Sequence, residues 1–350
     1  MKPRISDLQS ARYFMFAILG LLIIVLVSRF LFQKKPEVSA LECGLTVYSY
    51  TSMVAGWGPG PELAKMFHEK TKCSLKWVDA GGAVEMINRV TLEKDGTPAD
   101  VLMGIDDYTI SRVEALPVRQ HLLDLSEFDE RVLASDQLDA FYPFDWAPLT
   151  FIRKTENTTG KQLIHDYDSW KSFLEQTPRI ALIDPRSSSA GFQFIAWLTA
   201  GVADKQLSLD TFRFVKSSAA GVFPSWSDAY AAFTSGQAEA VFTYTTSAAY
   251  HRFAEGNLNY ELARFKTGHP YQVEYAAIVS HTKNFANAQR FLALIGSVEG
   301  QKVISLKNYM LPARTEVTDL AWKPYEDFQL QSVNSLLKPK EINELWIKSY

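Results

Sequence analysis

Apolar runs alternate with helical patterns from residue 45 onward. The stretch 45–49, LTVYS, is short and apolar and is bounded by turn residues, which predicts a strand. A helix is predicted over 61–70, opening at Pro61, whose fixed φ suits a first helical turn. Strand 74–78 leads through Asp79-Ala80-Gly81-Gly82 into a helix that sets Val84, Ile87, Val90 and Leu92 on related faces. Strand 101–104 ends at GIDDY, ahead of another helix. This βαβαβ order predicts a parallel sheet with right-handed crossovers. A second unit is predicted from near Phe151: helix 169–176, strand 180–183, the loop DPRSSSAG, helix 192–201, helix 226–235 and strand 240–243. VEYAAIVS is a further strand candidate, and helices close the chain. No repeat or low-complexity segment interrupts the pattern. The expectation is two α/β lobes with a cleft between them, the chain crossing more than once.

One segment breaks the rhythm. Residues 13–32, YFMFAILGLLIIVLVSRFLF, form the one apolar run of membrane length. An uncleaved N-terminal anchor and a secretory signal cleaved after Ala40 are the two readings. The length of the run, and Lys34, Lys35 and Glu37 just ahead of that site, favour the anchor. Cys43 follows Glu42, where a lipoprotein signal needs a small residue. Either way the remainder leaves the cytoplasm.

The chain has 350 residues, 47% hydrophobic and 21% charged, which is ample for large cores. Residues 1–40 hold six basic and two acidic groups, so 41–350 holds 30 basic and 37 acidic, a net charge of −7. No basic stripe is present, which argues against a nucleic-acid partner, and the acidic balance suits a cationic small ligand.

The carboxyl ends of the predicted strands carry the chemistry, as α/β architecture leads one to expect. Tyr50 and Trp57 lie in the loop after the first strand, beside the stiff Gly58-Pro59-Gly60-Pro61. Asp106 follows the third strand, and PFDW supplies Asp145 and Trp146. FPSWSDAY supplies Trp226, FTYTTSAAY supplies Tyr244 and Tyr250, and NYMLP supplies Tyr309. Any one of these rings alone reads as core. Their recurrence at strand-to-helix junctions predicts an aromatic box for a flat or cationic ligand, worth about 0.5–2 kcal/mol per ring. The loop with Arg186, Ser188, Ser189 and Gly191 enters a helix. It reads either as an anion site of free N–H groups and hydroxyls or as an ordinary serine cap beside a surface arginine.

The blocks VYSYTSMVAGWGPGP, ADVLMGID, DPRSSSAGFQFIAWL, WSDAYAAF, YTTSAAYH and YQVEYA, in order over 45–312, resemble the periplasmic thiamine-binding proteins of ABC importers. The resemblance implies a type II-like, two-lobed periplasmic-binding-protein fold following an N-terminal hydrophobic helix. On that reading residues 41–145 and 246–350 form the first lobe and 146–245 the second. It implies a monomeric receptor without a cofactor, periplasmic and tethered to the inner membrane by 13–32, that captures thiamine or its mono- or diphosphate for a permease. By the same resemblance Tyr50, Trp57, Trp226, Tyr244 and Tyr250 surround the ligand, whose phosphate tail points to 188–191. Asp106, Asp145 and Glu274 are the candidates to meet the aminopyrimidine. Two departures stand out: Tyr309 replaces the usual Trp of that motif, and Gly56 stands where an acidic residue precedes the loop Trp.

Two rivals come from similar folds. A thiaminase-like enzyme needs a cysteine in the cleft, but Cys43 and Cys73 each precede a strand, at the opposite sheet edge. Their strands are expected to be neighbours, which predicts a disulfide. A ferric-ion-binding protein needs adjacent tyrosines, and Tyr244 and Tyr250 are not adjacent. The six histidines show no zinc spacing, and no G-x-S-x-G elbow exists.

Overall fold

The structure, a computed structural model, describes residues 43–350 except 111–117, 136, 156–163, 332 and 334, and Pro324 in its backbone alone. The apolar segment 13–32 lies outside the described residues. Among the described residues no helix is long and apolar enough to cross a membrane.

The first three strands follow the predicted alternation. β1 (Leu45–Ser49) pairs in parallel with β2 (Leu75–Asp79) on one side and β3 (Val101–Asp106) on the other. Helices Gly60–Thr71 and Ala83–Glu93 make the crossovers. Leu92 departs from its expected face and is 82% exposed. It lies two residues beyond buried Val90, so about 200° round the helix. Cys43 and Cys73 are disulfide-bonded with Cα atoms 5.2 Å apart, because Leu45 and Leu75 are direct partners.

Beyond β3 the sheet is mixed rather than parallel. β11 (Tyr271–Val279) runs antiparallel to β3 and to β5 (Phe141–Lys154). Sequence reading passed over β5, a 14-residue strand, because Pro143 and Pro148 argue against a central strand. Pro143 sits at the register shift between Glu274 and Tyr275, and Pro148 at the end of the β11 pairing, so neither breaks a regular ladder. β5 then continues into a second group of strands. It pairs with β9 (Ala240–Tyr244) and β10 (Tyr260–Phe265), and β9 pairs in turn with β7 (Ile180–Ile183). The strand order is β2-β1-β3-β11-β5-β9-β7, with β8 (Ala219–Phe223) at the far edge.

Two hydrophobic cores lie along this curled sheet. The first gathers Val47, Leu102, Phe144, Tyr275 and Phe291. The second gathers Phe151, Phe173, Phe194, Trp197, Phe242 and Phe265. The last helix, Pro339–Lys348, joins the second core: Trp346 meets Phe212 edge-on at 5.8 Å, and the Lys216 ammonium lies 3.9 Å from its ring centre. The fully buried Trp346 alone accounts for about 3–5 kcal/mol against Ala.

Candidate functional site

The site grows from three strand positions held side by side. Glu274 on β11 is in register with Asp106 on β3 and with Asp145 on β5. Three carboxylates therefore stand in one row, all buried. Alternation along β5 turns Trp146 to the other face, where the Arg131 guanidinium lies 4.1 Å from its ring centre, so Trp146 belongs to the core.

Each carboxylate has its own partners. The Tyr50 hydroxyl donates to Glu274 Oε2 at 2.7 Å, and Gln272 Nε2 lies 3.4 Å from Oε1 and 3.0 Å from the Tyr244 hydroxyl. Asn308 Nδ2 donates both to Tyr50 at 2.9 Å and to Asp145 Oδ2 at 3.0 Å. Asp106 Oδ1 accepts from the backbone N–H groups of Tyr108 and Thr109 and from the Thr109 hydroxyl.

Burial sets the charge of this row. Desolvation, with Asp106 adding to it, pushes the Glu274 carboxyl up to about 7. Burial beside Glu274 holds the Asp145 carboxyl well above the usual carboxylate range. Its Oδ1 is buried without a hydrogen-bond partner among the described residues. The same burial keeps the Tyr50 and Tyr244 phenols protonated.

Rings stand around the row. Tyr50 is half-buried and lies so close to Gly104 that a methyl group there would overlap the ring. Gly104 also has φ +100°, a region that favours glycine. Trp226, half-buried at the first turn of the helix Trp226–Thr234, lies 6.1 Å from Tyr244 and stacks on Tyr230 at 4.8 Å. Tyr250 meets Tyr309 edge-on at 5.2 Å, and Tyr309 packs on Trp322 at 5.0 Å. These three form a separate cluster, joined to the carboxylate row through Asn308, the neighbour of Tyr309.

Trp57 stands apart. It is 67% exposed, with no ring contact or side-chain hydrogen bond among the described residues. Its loop is nevertheless tightly packed. Gly58 crosses the Ser52 carbonyl with no room for a methyl, and the Trp77 indole donates to the Gly60 carbonyl at 2.8 Å.

The serine loop reaches the site from the second group of strands. Ser188 precedes the helix Ser189–Leu198, and its side chain makes no cap hydrogen bond. Gly191 is buried beneath, where a methyl would come within 2.7 Å of the Ile183 carbonyl. Arg186 turns back onto Asp184, its Nε 2.9 Å from Oδ1.

Sequence reasoning missed Asn308, Gln272 and Tyr230. Asn308 and Gln272 sit in the quoted blocks NYMLP and YQVEYA, but only the strand register reveals what they touch. Among the described residues no cluster of three or more His, Cys, Asp or Glu could hold a metal. Both cysteines of the chain are consumed by the disulfide, which leaves no thiol nucleophile.

Comparison with known proteins agrees with this geometry. The model of a family described as bacterial extracellular solute-binding protein matches residues 45–307. The thiamine-binding periplasmic protein of Escherichia coli (strain K12) is 32% identical over 285 residues, covering 77% of this chain and 80% of that protein. A solved periplasmic thiamin binding protein superposes with a TM-score of 0.75 at 29% identity, over 87% of this chain and 96% of the other. Iron-bound HitA from Pseudomonas aeruginosa shares the fold, with a TM-score of 0.67 at 19% identity over 87% of this chain and 97% of that one. The chain belongs to the bacterial extracellular solute-binding proteins and, within them, to the family of thiamine-binding periplasmic proteins.

Proposed function

We propose that this protein binds thiamine, or thiamine carrying a phosphate tail, and hands it to the permease of an ABC importer. The observation that carries the reading is the meeting of a buried acidic row with aromatic rings. Glu274, Asp145 and Asp106 lie in register, and Tyr50, Tyr244 and Trp226 surround them. A flat cation gains from both ring faces and a nearby anionic charge. The names of the relatives supply the ligand class. Mass spectrometry of ligand released from the purified, denatured protein is the test: a thiamine species is expected, and calorimetry should then show saturable binding of added thiamine. Release of an unrelated ligand, with no heat on adding thiamine, sinks the reading.

The tail is assigned to the serine loop. The free Ser188 hydroxyl and the start of the helix Ser189–Leu198 support this. Ser188→Ala should weaken thiamine monophosphate by about 1.5–3 kcal/mol and thiamine much less, because the lost hydrogen bond is charge-assisted. Equal losses by calorimetry would place the loop elsewhere.

The receptor is proposed to be a periplasmic monomer held to the inner membrane by 13–32. Tethering raises its effective concentration at the permease. A native chain beginning at Leu41 would overturn the tether. The lobes are proposed to join through β5, β9 and the link from β10 to β11, with the last helix in the second lobe, where Trp346 packs.

A further inference from the structure

We propose that His251 and Glu255 are positioning residues for Trp226, acting through Tyr230, which hydrogen-bonds His251 and stacks on the indole. The proposal rests on the reading that Trp226 meets the ligand. Trp226 Nε1 lies 3.0 Å from Thr243 Oγ1, which lies 2.8 Å from Ser247 Oγ. From the other side, the Trp226 ring stacks on Tyr230 with ring centres 4.8 Å apart. The Tyr230 oxygen lies 2.8 Å from His251 Nε2, and His251 Nδ1 lies 2.6 Å from Glu255 Oε2.

The donors and acceptors follow from the chemistry of the groups. An indole N–H can only donate, so Thr243 accepts from Trp226. An ionised carboxylate can only accept, so His251 carries its proton on Nδ1 and leaves Nε2 bare. Tyr230 must then donate to His251, which fixes its hydroxyl in the plane of the stack. Burial lowers the His251 pKa below its ordinary value, which keeps the ring neutral near pH 7. Thr243 is fully buried and His251 is 1% exposed, so water cannot replace a lost link. Stacking reinforces the path: Trp226 lies on Tyr230, Tyr230 parallel to His251, and His251 on Tyr260 at 3.6 Å.

A merely satisfied core network would serve stability alone. Here one end is a ring of the proposed site and the other is a carboxylate whose side chain is 40% exposed. A change at that exposed end should therefore reach Trp226, with the Tyr230 ring, bonded to His251 and stacked on the indole, as the physical link.

The test uses protein labelled with 15N-tryptophan, its Trp226 indole resonance identified by loss in Trp226→Phe. Glu255→Gln keeps the shape at a partly exposed position, so folding is not at risk. Tyr230→Phe keeps the stack and removes one link. Both should move the Trp226 indole resonance while that of Trp57 stays in place. Both should also weaken thiamine about threefold to tenfold. An unmoved Trp226 resonance in both variants overturns the chain. A moved resonance with thiamine affinity unchanged in these variants and in Trp226→Phe upholds the chain and overturns the ligand role of Trp226.

Discussion

Glu274 combines burial with a direct hydrogen bond from a cleft ring, and this makes its charge a variable. Its carboxyl titrates at about 7, above its ordinary value, because it is desolvated beside Asp106. A cationic ligand binds the ionised form better. Below pH 7 the free site is protonated and must lose that proton on binding, so affinity should fall as pH falls, up to tenfold per unit. Titration calorimetry from pH 5.5 to 8.5 should show this slope, and Glu274→Gln should bind weakly and lose the slope. A flat profile in the parent protein would remove Glu274 from the ligand's charge balance. The same shift bears on stability with the opposite trend. The unfolded carboxyl ionises near pH 4.5 and the folded one only near 7, so stability is lost as pH rises through that window. Trp226 gives the second residue-scale expectation. Trp226→Ala removes stacking area and a cation–π contact, together about 2–3 kcal/mol, or roughly a 30- to 150-fold weaker thiamine complex by calorimetry. An unchanged dissociation constant in a folded variant would make it a core ring.

At the scale of elements, strand β1 is held from both ends. Its start is bonded through Cys43 to Cys73 ahead of β2, and its end delivers Tyr50 into the site. The bridge closes a loop with a sequence separation of 30, worth about 3–4 kcal/mol by chain entropy. Replacing both cysteines with alanine should lower stability by about that amount in chemical denaturation, with thiamine affinity nearly unchanged. A large loss of affinity at unchanged stability would contradict this division of labour. Local signals predicted these elements well. β1, the crossover helices and Ile180–Ile183 fall where periodicity and Pro61 put them. β5 escaped because its prolines look like breakers until the β11 register places them at an irregularity and an end. Leu92 escaped because the helix period was applied one step too far.

For the whole molecule, closure is the property that matters to a transporter. Tyr50 bonds Glu274 from the segment after β1, and Trp226 lies beside Tyr244 from the helix after β8, so the two rings come from the two groups of strands. A ligand held by both can shift the equilibrium toward a closed form only by its extra affinity for that form. Small-angle scattering should therefore show a smaller radius of gyration with thiamine than without it, and Trp226→Ala should lessen the change. An identical radius in both states would mean that the cleft does not close. The sequence by itself determined the α/β elements, the crowding of aromatics at strand ends and the strand neighbours that let Cys43 reach Cys73. These depend on local periodicity, turn chemistry and the short reach of consecutive βαβ units. Only the tertiary structure decided that Asp106, Asp145 and Glu274 share one row, that Asn308 joins Tyr50 to Asp145, and that Tyr230 lies between His251 and Trp226. Those juxtapositions depend on register between strands as far apart as 145 and 274, which no local pattern encodes. Charge followed from the same source, because a carboxyl group's pKa is set by the burial and the neighbours that folding gives it.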